Sequence, residues 1–313
     1  MRICDTLNRM STFTVNLLGC GSAKPSVRHN QSCTVINFRE ALYMIDCGEG
    51  AQQQMQRMGL KFSRLRHIFI THLHGDHILG LPGLLQTLSL NGHCGKVTLH
   101  TFREGIKLID RIRAFFGYEL GYELEYHELK PEEGVVLDTP ALTVNTVPLN
   151  HRVDCVGYVF REKERLRHLI PDMLEYHQVP IAWRPRVKAG EDFVKADGTV
   201  IPNCHLTRPA TPSVSYAHLS DSAYVPELAE KVKGVTCVLH DATYGDDRVQ
   251  LAAERGHSTA RQAAQLARDA EAGKLILTHF SSAYRSEAPL LQQAQEVFEN
   301  SMLANEGLRV ALD

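Results

Sequence analysis

The sequence predicts an α/β (α+β) fold with strands enough for two sheets and one inserted arm. Three observations carry that prediction. Strand-like alternation and helix-like periodicity succeed one another along the 313 residues. The first strands follow each other without an intervening helix, and the stretch 161–203 departs from both patterns.

Residues 1–11 precede the first periodic segment and read as an N-terminal extension. Residues 12–18 (TFTVNLL) alternate and are rich in β-formers, then break at GCGSAKP. CTVINF and ALYMID follow as two strands about the charged turn Arg39-Glu40, which predicts an antiparallel meander. After GEG, AQQQMQRMG reads as a helix closed by Gly59. The apolar strand 67–70 runs into THLHGDH, so a histidine cluster sits in a loop at a strand end, where rigid scaffold positions site residues. Helical patterns at 84–90, 106–115, 260–270 and 290–298 then alternate with strands at 97–100, 142–147, 156–160, 214–219, 235–239 and 275–278. The odd segment opens with REKERLRH and continues through several prolines and Trp183; it reads as an arm, about 161–203, inserted into a domain spanning 12–313.

At 43% hydrophobic residues the chain can bury a sizeable core. No apolar run reaches the roughly 18 residues of a spanning helix, and MRICDTLNRM lacks the basic-then-apolar order of a secretory signal. The expectation is a cytoplasmic protein with no membrane partner. The eight cysteines form no CxxC pair and read as small buried hydrophobes of a reducing compartment. A net charge of −2 leaves no overall nucleic-acid footprint, so any nucleic-acid binding has to come from a local patch.

THLHGDH holds His72, His74, Asp76 and His77, four potential ligands within six residues. Chance would produce HxHxDH roughly 0.002 times in such a chain. Zinc takes imidazole nitrogen and carboxylate oxygen, and a catalytic zinc keeps one position open. His72 and His74 alternate and can converge on one ion; Asp76 and His77, past the small Gly75, can turn to a second. One loop fills neither site, so more ligands must come from elsewhere. His151, Asp221 and His279 each follow an apolar β-like run (TVNTVPL, VSYAHLS, KLILT) and can reach the same sheet edges. Taken singly, each reads as readily as a cap or a surface residue.

With these residues in view, the HxHxDH loop after a strand resembles the metallo-β-lactamase superfamily, and its companions resemble the ribonuclease Z branch. GCGSAKP is similar to that branch's GTGSA-P loop, and MIDCGEGAQQQM matches its Asp-Cys-Gly-Glu-Gly-Thr-Gln-Gln-Gln segment almost residue for residue. LNHRVDCVGYVF, SDSAY, VLHDATYGD, GHSTARQAAQLA and LTHFSSAY resemble its His-Arg-Val, Asp-Thr, His-Glu-Ala-Thr-Phe, Gly-His-Ser-Thr-Ala and Thr-His-Phe-Ser-Ser-Arg-Tyr elements, in family order from about residue 12 to 285.

The resemblance implies a four-layer αββα sandwich and two zinc ions per subunit. It implies that His72, His74 and His151 hold the first zinc, that Asp76, His77 and His279 hold the second, and that Asp221 bridges them. Asp76 would also accept the proton of the attacking water, and His257 would supply one to the leaving oxygen. Asp241 stands where the family has the glutamate that orients this histidine; the residues alone also allow His257 to be a neighbour of the N-cap of the helix begun by Ser258 or Thr259. Asp46 reads either as the partner of a metal-bound histidine or as an Asp closing a strand. Ser22, Ser281 and Ser282 can donate to phosphate or form turns. Ala283 stands where the family often has Arg, with Arg285 two residues on.

The activity implied is cleavage of the 3′ trailer from precursor tRNA, in a homodimer whose arm grips the tRNA. Residues 161–188 carry seven basic against four acidic side chains, enough to neutralise phosphates or to lace an exposed helix with ion pairs. The glycine-proline-rich tip of the family's arm is replaced by VPIAWRPRVKAGEDF. Two other readings compete: a two-zinc hydrolase of a small phosphodiester or sulfate ester, and a non-catalytic RNA-binding module that has lost its metals. The presence of all seven expected ligands argues against the last.

Overall fold

The meander forms where the alternating segments predict it. A computed structural model describes residues 12–92, 95–117 and 119–312, so the extension read at 1–11 and the residues Cys4 and Cys94 lie outside the described residues. Strands β1 (Phe13–Gly19), β2 (Cys33–Phe38) and β3 (Ala41–Ile45) pair antiparallel, with Val15 opposite Ile36 and Ile36 opposite Tyr43. Arg39 and Glu40 both take positive φ, 49° and 71°, as a two-residue hairpin that follows the twist of its strands requires. Strands β4 (Leu65–Phe69), β5 (Lys96–Phe102) and β6 (Glu123–Leu129) then add in parallel.

A second sheet starts with β7 (Gly134–Asp138), β8 (Leu142–Pro148) and β9 (Val156–Glu162). The chain next builds β10 (His168–Leu169), β11 (Phe193–Val194), β12 (Val200–Ile201) and β13 (Thr207–Arg208), and returns through β14 (Ser215–Leu219), β15 (Cys237–Asp241), β16 (Leu275–Thr278), β17 (Ser301–Leu303) and β18 (Arg309–Ala311). The first sheet runs β18-β1-β2-β3-β4-β5-β6 and the second β17-β16-β15-β14-β9-β8-β7, seven strands each. From β14 to β17 the pairing is parallel.

Each sheet carries helices on one face. Helices Ala51–Arg57, Leu81–Leu90 and Arg103–Phe116 cover the first, over a core that includes Leu18, Val35, Met44, Ile68 and Leu99. Helix Ala260–Asp269 lies across β15 and β16, and Ala288–Gln295 against β17. Between the sheets Phe69 meets Tyr158 and Phe160 at ring centroids 5.2 and 5.5 Å apart, and Phe160 reaches Tyr43 at 6.3 Å. Each such buried ring contributes about 1.5–3 kcal/mol. The layers are thus helix, sheet, sheet, helix.

Residues 139–142 and 161–213 form a compact unit of their own. Its small core holds Leu174, Val179, Val187, Phe193, Ile201 and Leu206. Trp183 meets Phe193 edge-on at 5.3 Å and carries the Arg186 guanidinium over its ring at 4.1 Å.

Among the described cysteines, Cys20, Cys33, Cys47, Cys155 and Cys237 are free and buried, as small hydrophobes should be, whereas Cys204 is exposed. No helix of the described residues is long and apolar enough to cross a membrane.

Candidate metal centre

The HxHxDH segment leaves β4 and changes conformation halfway. His74 is extended, and from Gly75 the chain enters a short helix, Gly75–Ile78, so Asp76 and His77 sit on a helical turn rather than in the loop the sequence suggested. The His77 N–H donates to the His74 carbonyl at 3.1 Å, which closes that turn. Gly48 is needed beneath it: a Cβ there would run into the Asp76 carbonyl.

The remaining donors arrive from strand ends of the second sheet. His151 follows β8, Asp221 follows β14 and His279 follows β16 directly. Asp221 and His279 adopt left-handed backbone, φ 60° and 63°, and so does Asp46 after β3, φ 57°. Such conformations cost non-glycine residues about 1–3 kcal/mol and concentrate at functional sites.

The donor atoms meet in two groups. His72 Nε2 lies 3.0 Å from His74 Nδ1, and His151 Nε2 3.2 Å from that same atom. Asp221 Oδ2 is 3.7 Å from His72 Nε2 and 4.0 Å from His151 Nε2. In the second group His279 Nε2 is 3.4 Å from Asp76 Oδ2, and His77 Nε2 is 3.6 Å from it. Asp221 Oδ1 stands 3.2 Å from His279 Nε2 and 3.5 Å from His77 Nε2. Asp221 therefore points one oxygen at each group.

The outward-facing nitrogens are anchored. His77 Nδ1 donates to Asp46 Oδ2 at 2.7 Å, and the Thr71 hydroxyl and N–H also donate to Asp46. Thr71 Oγ1 lies 3.0 Å from His72 Nδ1. His151 Nδ1 donates to the Gly256 carbonyl at 2.8 Å. His279 Nδ1 donates to Thr243 Oγ1 at 2.9 Å, which donates to Asp241 Oδ1 at 2.7 Å. These bonds fix the tautomers with Nε2 inward at His72, His77, His151 and His279. Thr71, Thr243 and the Gly256 carbonyl escaped the sequence reading, though both threonines stand inside quoted motifs.

His257 lies beside the groups, its ring centroid 5.2 Å from both His151 and His279. Its Nδ1 donates to Asp241 Oδ2 at 2.7 Å, so the shorter carboxylate does reach the imidazole. The N-cap of the following helix is Thr259, two residues past His257, and its side chain forms a capping box with Gln262. The phosphate-contact candidates are less built. Ser281 Oγ accepts the Ala283 N–H, a turn bond, Ser22 donates its N–H to the Phe280 carbonyl, and Ser282 and Arg285 are exposed.

Electrostatics separates the two groups. Burial pushes His72, His74 and His151 below the ordinary histidine range, so they are neutral ligands in waiting. At His77 and His279 burial acts the same way, but the facing carboxylates together outweigh it and hold both above that range, Asp221 with Asp46 at His77 and Asp221 with Asp76 and Asp241 at His279. Burial opposes ionisation of Asp76 and Asp221, yet the facing histidines hold both below the usual carboxylate range.

The residues fit a metal pair. Four imidazoles and carboxylates, His72, His74, His151 and Asp221, bring donor atoms within 4.8 Å of one another, as do Asp76, His77 and His279. His77 Nε2 is buried without a hydrogen-bond partner, a cost of about 1–3 kcal/mol that a bound cation removes. The donors are those zinc prefers.

Comparison with known proteins bears on the fold and the family. A family model described as a beta-lactamase superfamily domain matches residues 206–280, and one described as anti-Pycsar protein Apyc1 matches residues 13–108. A ribonuclease Z of Bacteroides thetaiotaomicron is 43% identical over 97% of this chain and 96% of its own length. One of Parabacteroides distasonis is 42% identical over 97% of this chain and all of its own length, 100%. The crystal structure of human tRNase Z, short form, superposes with a TM-score of 0.72 at 25% identity, covering 96% of this chain and 99% of that one. A metallo-β-lactamase fold protein from Bacillus subtilis superposes at 0.67 with 16% identity, covering 95% and 98%, and speaks for the fold alone. By that identity and coverage this chain, a metallo-β-lactamase fold, belongs to the ribonuclease Z family.

Proposed function

We propose that the chain is a zinc-dependent endoribonuclease that cuts the 3′ trailer from precursor tRNA, leaving a 3′-hydroxyl on the tRNA and a 5′-phosphate on the trailer. The observation that carries this reading is a seven-residue donor set, buried but for the half-buried His74 and His151, with a carboxylate-held histidine at its rim, His257 on Asp241 at 2.7 Å. His72, His74 and His151 would hold one ion and Asp76, His77 and His279 the other, with Asp221 shared, two per subunit at this centre. When bound, such a pair of ions neutralises charge on a phosphodiester and lowers the pKa of water toward 7.

Asp76, kept ionised by the histidines around it, accepts a proton from the attacking water; the Ala23 N–H donates to its Oδ2 at 2.8 Å and orients it. His257 delivers a proton from Nε2 to the leaving 3′ oxygen. Asp241 accepts from Nδ1 and so turns Nε2 toward the leaving oxygen; burial opposes ionisation of Asp241, but the facing His257 holds it below the usual carboxylate range. Asp46 steadies His77 from behind.

The arm at about 161–203 would take the tRNA body. Arg184 and Lys188 are exposed there, while Arg186 is committed to Trp183 and Glu191, and Arg167 to Thr207. Ser22, Ser281, Ser282 and Arg285 are the candidate phosphate contacts at the rim. A homodimer and a cytoplasmic location follow from the family resemblance and belong to the same proposal.

The test is 3′-trailer cleavage with metal analysis for the native chain, Asp76→Ala and His257→Ala, beside a chromogenic phosphodiester. Both variants should lose cleavage, and His257→Ala should keep its metal. Full activity in His257→Ala removes it from the proton-donor role, and cleavage of the small ester alone overturns the RNA assignment.

A further inference from the structure

Among the described residues, one group of side chains apart from the centre above has metal-ligand geometry, and the proposed reaction does not use it. Cys20 stands just past β1, His29 on the far limb of the loop it opens, and Glu306 on the turn before β18. Cys20 Sγ is 3.2 Å from His29 Nδ1, His29 Nδ1 is 3.1 Å from Glu306 Oε2, and Sγ is 3.6 Å from Glu306 Oε1. Tetrahedral zinc with nitrogen and oxygen at about 2.0–2.1 Å and sulfur at about 2.3 Å sets its ligands roughly 3.3–3.6 Å apart. The two edges to His29 are slightly shorter than that, the Sγ–Oε1 edge matches it, and one ligand atom from each of the three residues lies within 4.8 Å of the other two.

We propose that Cys20, His29 and Glu306 form a third metal site that takes one zinc-class divalent ion and serves as a clamp on the loop, not as a reaction centre. A second observation supports it. His29 Nε2, the ring nitrogen that would not touch the ion, is buried without a hydrogen-bond partner, and Glu287 Oε1 stands 3.4 Å from it. Arg28 holds that carboxylate at 2.8 Å. A carboxylate behind a histidine, with the other nitrogen facing a thiolate and a second carboxylate, is the arrangement that orients metal-bound imidazole. Glu306 is itself fixed, its Oε1 accepting the Asn30 N–H at 2.8 Å.

Without an ion, burial reinforced by Glu306 keeps the Cys20 thiol protonated, and the Glu306 hydrogen bond raises His29 against the effect of burial. Binding then expels the thiol proton, and the ion takes its place. The clamp bears on the main centre through the backbone. The Phe280 N–H donates to the Cys20 carbonyl at 2.9 Å, next to His279, and the same loop supplies the Ala23 N–H to Asp76.

The experiment loads the full chain with cobalt(II). A thiolate ligand gives a near-ultraviolet sulfur-to-cobalt charge-transfer band, whereas the imidazole and carboxylate donors of the main centre give none. The native chain should show the band. Cys20→Ser should lose it together with one metal equivalent, while retaining the remaining metal and most of its cleavage of precursor tRNA. Glu306→Gln, which keeps an acceptor for Asn30, should weaken the same band, and Cys204→Ser should leave it unchanged. Absence of the band in the native chain, or its survival in Cys20→Ser, overturns the third site and leaves the nuclease reading untouched.

Discussion

Thr243 has one hydroxyl and two clients: it accepts from His279 and donates to Asp241, which in turn holds His257. A proposed metal ligand and the proposed proton donor are thus joined through three hydrogen bonds. Thr243→Val, nearly the same shape, cuts that chain at its middle. We expect a fall of about 10–100-fold in metal affinity or turnover, largely recovered in Thr243→Ser; an unchanged valine variant would disprove the link. At this scale the sequence was most legible where residues are chemically rare. HxHxDH announces itself by spacing, and His151, Asp221 and His279 could be ordered by motif. Thr71, Thr243 and the Gly256 carbonyl could not, because a threonine or a backbone oxygen becomes a histidine's partner only through its position in space. The left-handed backbone of Asp46, Asp221 and His279 was equally hidden, since nothing in those residue types requires it.

Helix Ala260–Asp269 begins three residues beyond His257 and its cap is complete: Thr259 Oγ1 accepts the Gln262 N–H, and Gln262 Oε1 accepts the Thr259 N–H. Thr259→Ala should cost about 1 kcal/mol of stability, readable as a lower urea midpoint at unchanged m-value. Thr259→Ser should be close to neutral. Most elements were legible, but their beginnings were misjudged in a consistent way. The helices expected at 84–90 and 290–298 start earlier, at Leu81 and Ala288, because Pro82 and Pro289 lie in the first turn, where a missing N–H breaks no bond. β6, ELEYHEL, went unread since a strand with so many exposed charges lacks a clean apolar face. β10 to β13 are two residues each, too short for any periodicity to register.

For the whole molecule the order of elements pointed to two sheets and the family resemblance to their layering, but pairing between distant segments was invisible. β18 lies beside β1, and neither strand carries a mark of the other. Buried histidines also act at this scale. Burial lowers His67 and His218 to about 4 each. Their unfolded values lie near 6.5, so between about pH 6.5 and about pH 4 the unfolded chain binds more protons. Stability is accordingly present above about 6.5 and is lost as pH falls, by up to about 1.4 kcal/mol per unit for each histidine. His67→Phe, which can keep the stack on Tyr43, should flatten the urea-midpoint profile over that range; an unaltered slope would contradict the assignment. The wide separation of the donors along the chain has a further consequence. His279 follows His72 by more than two hundred residues, and its strand is flanked by β17, formed later still. A chain emerging from a ribosome owns the conspicuous histidine motif long before His279 and β17 follow, and until they do its donor set is incomplete.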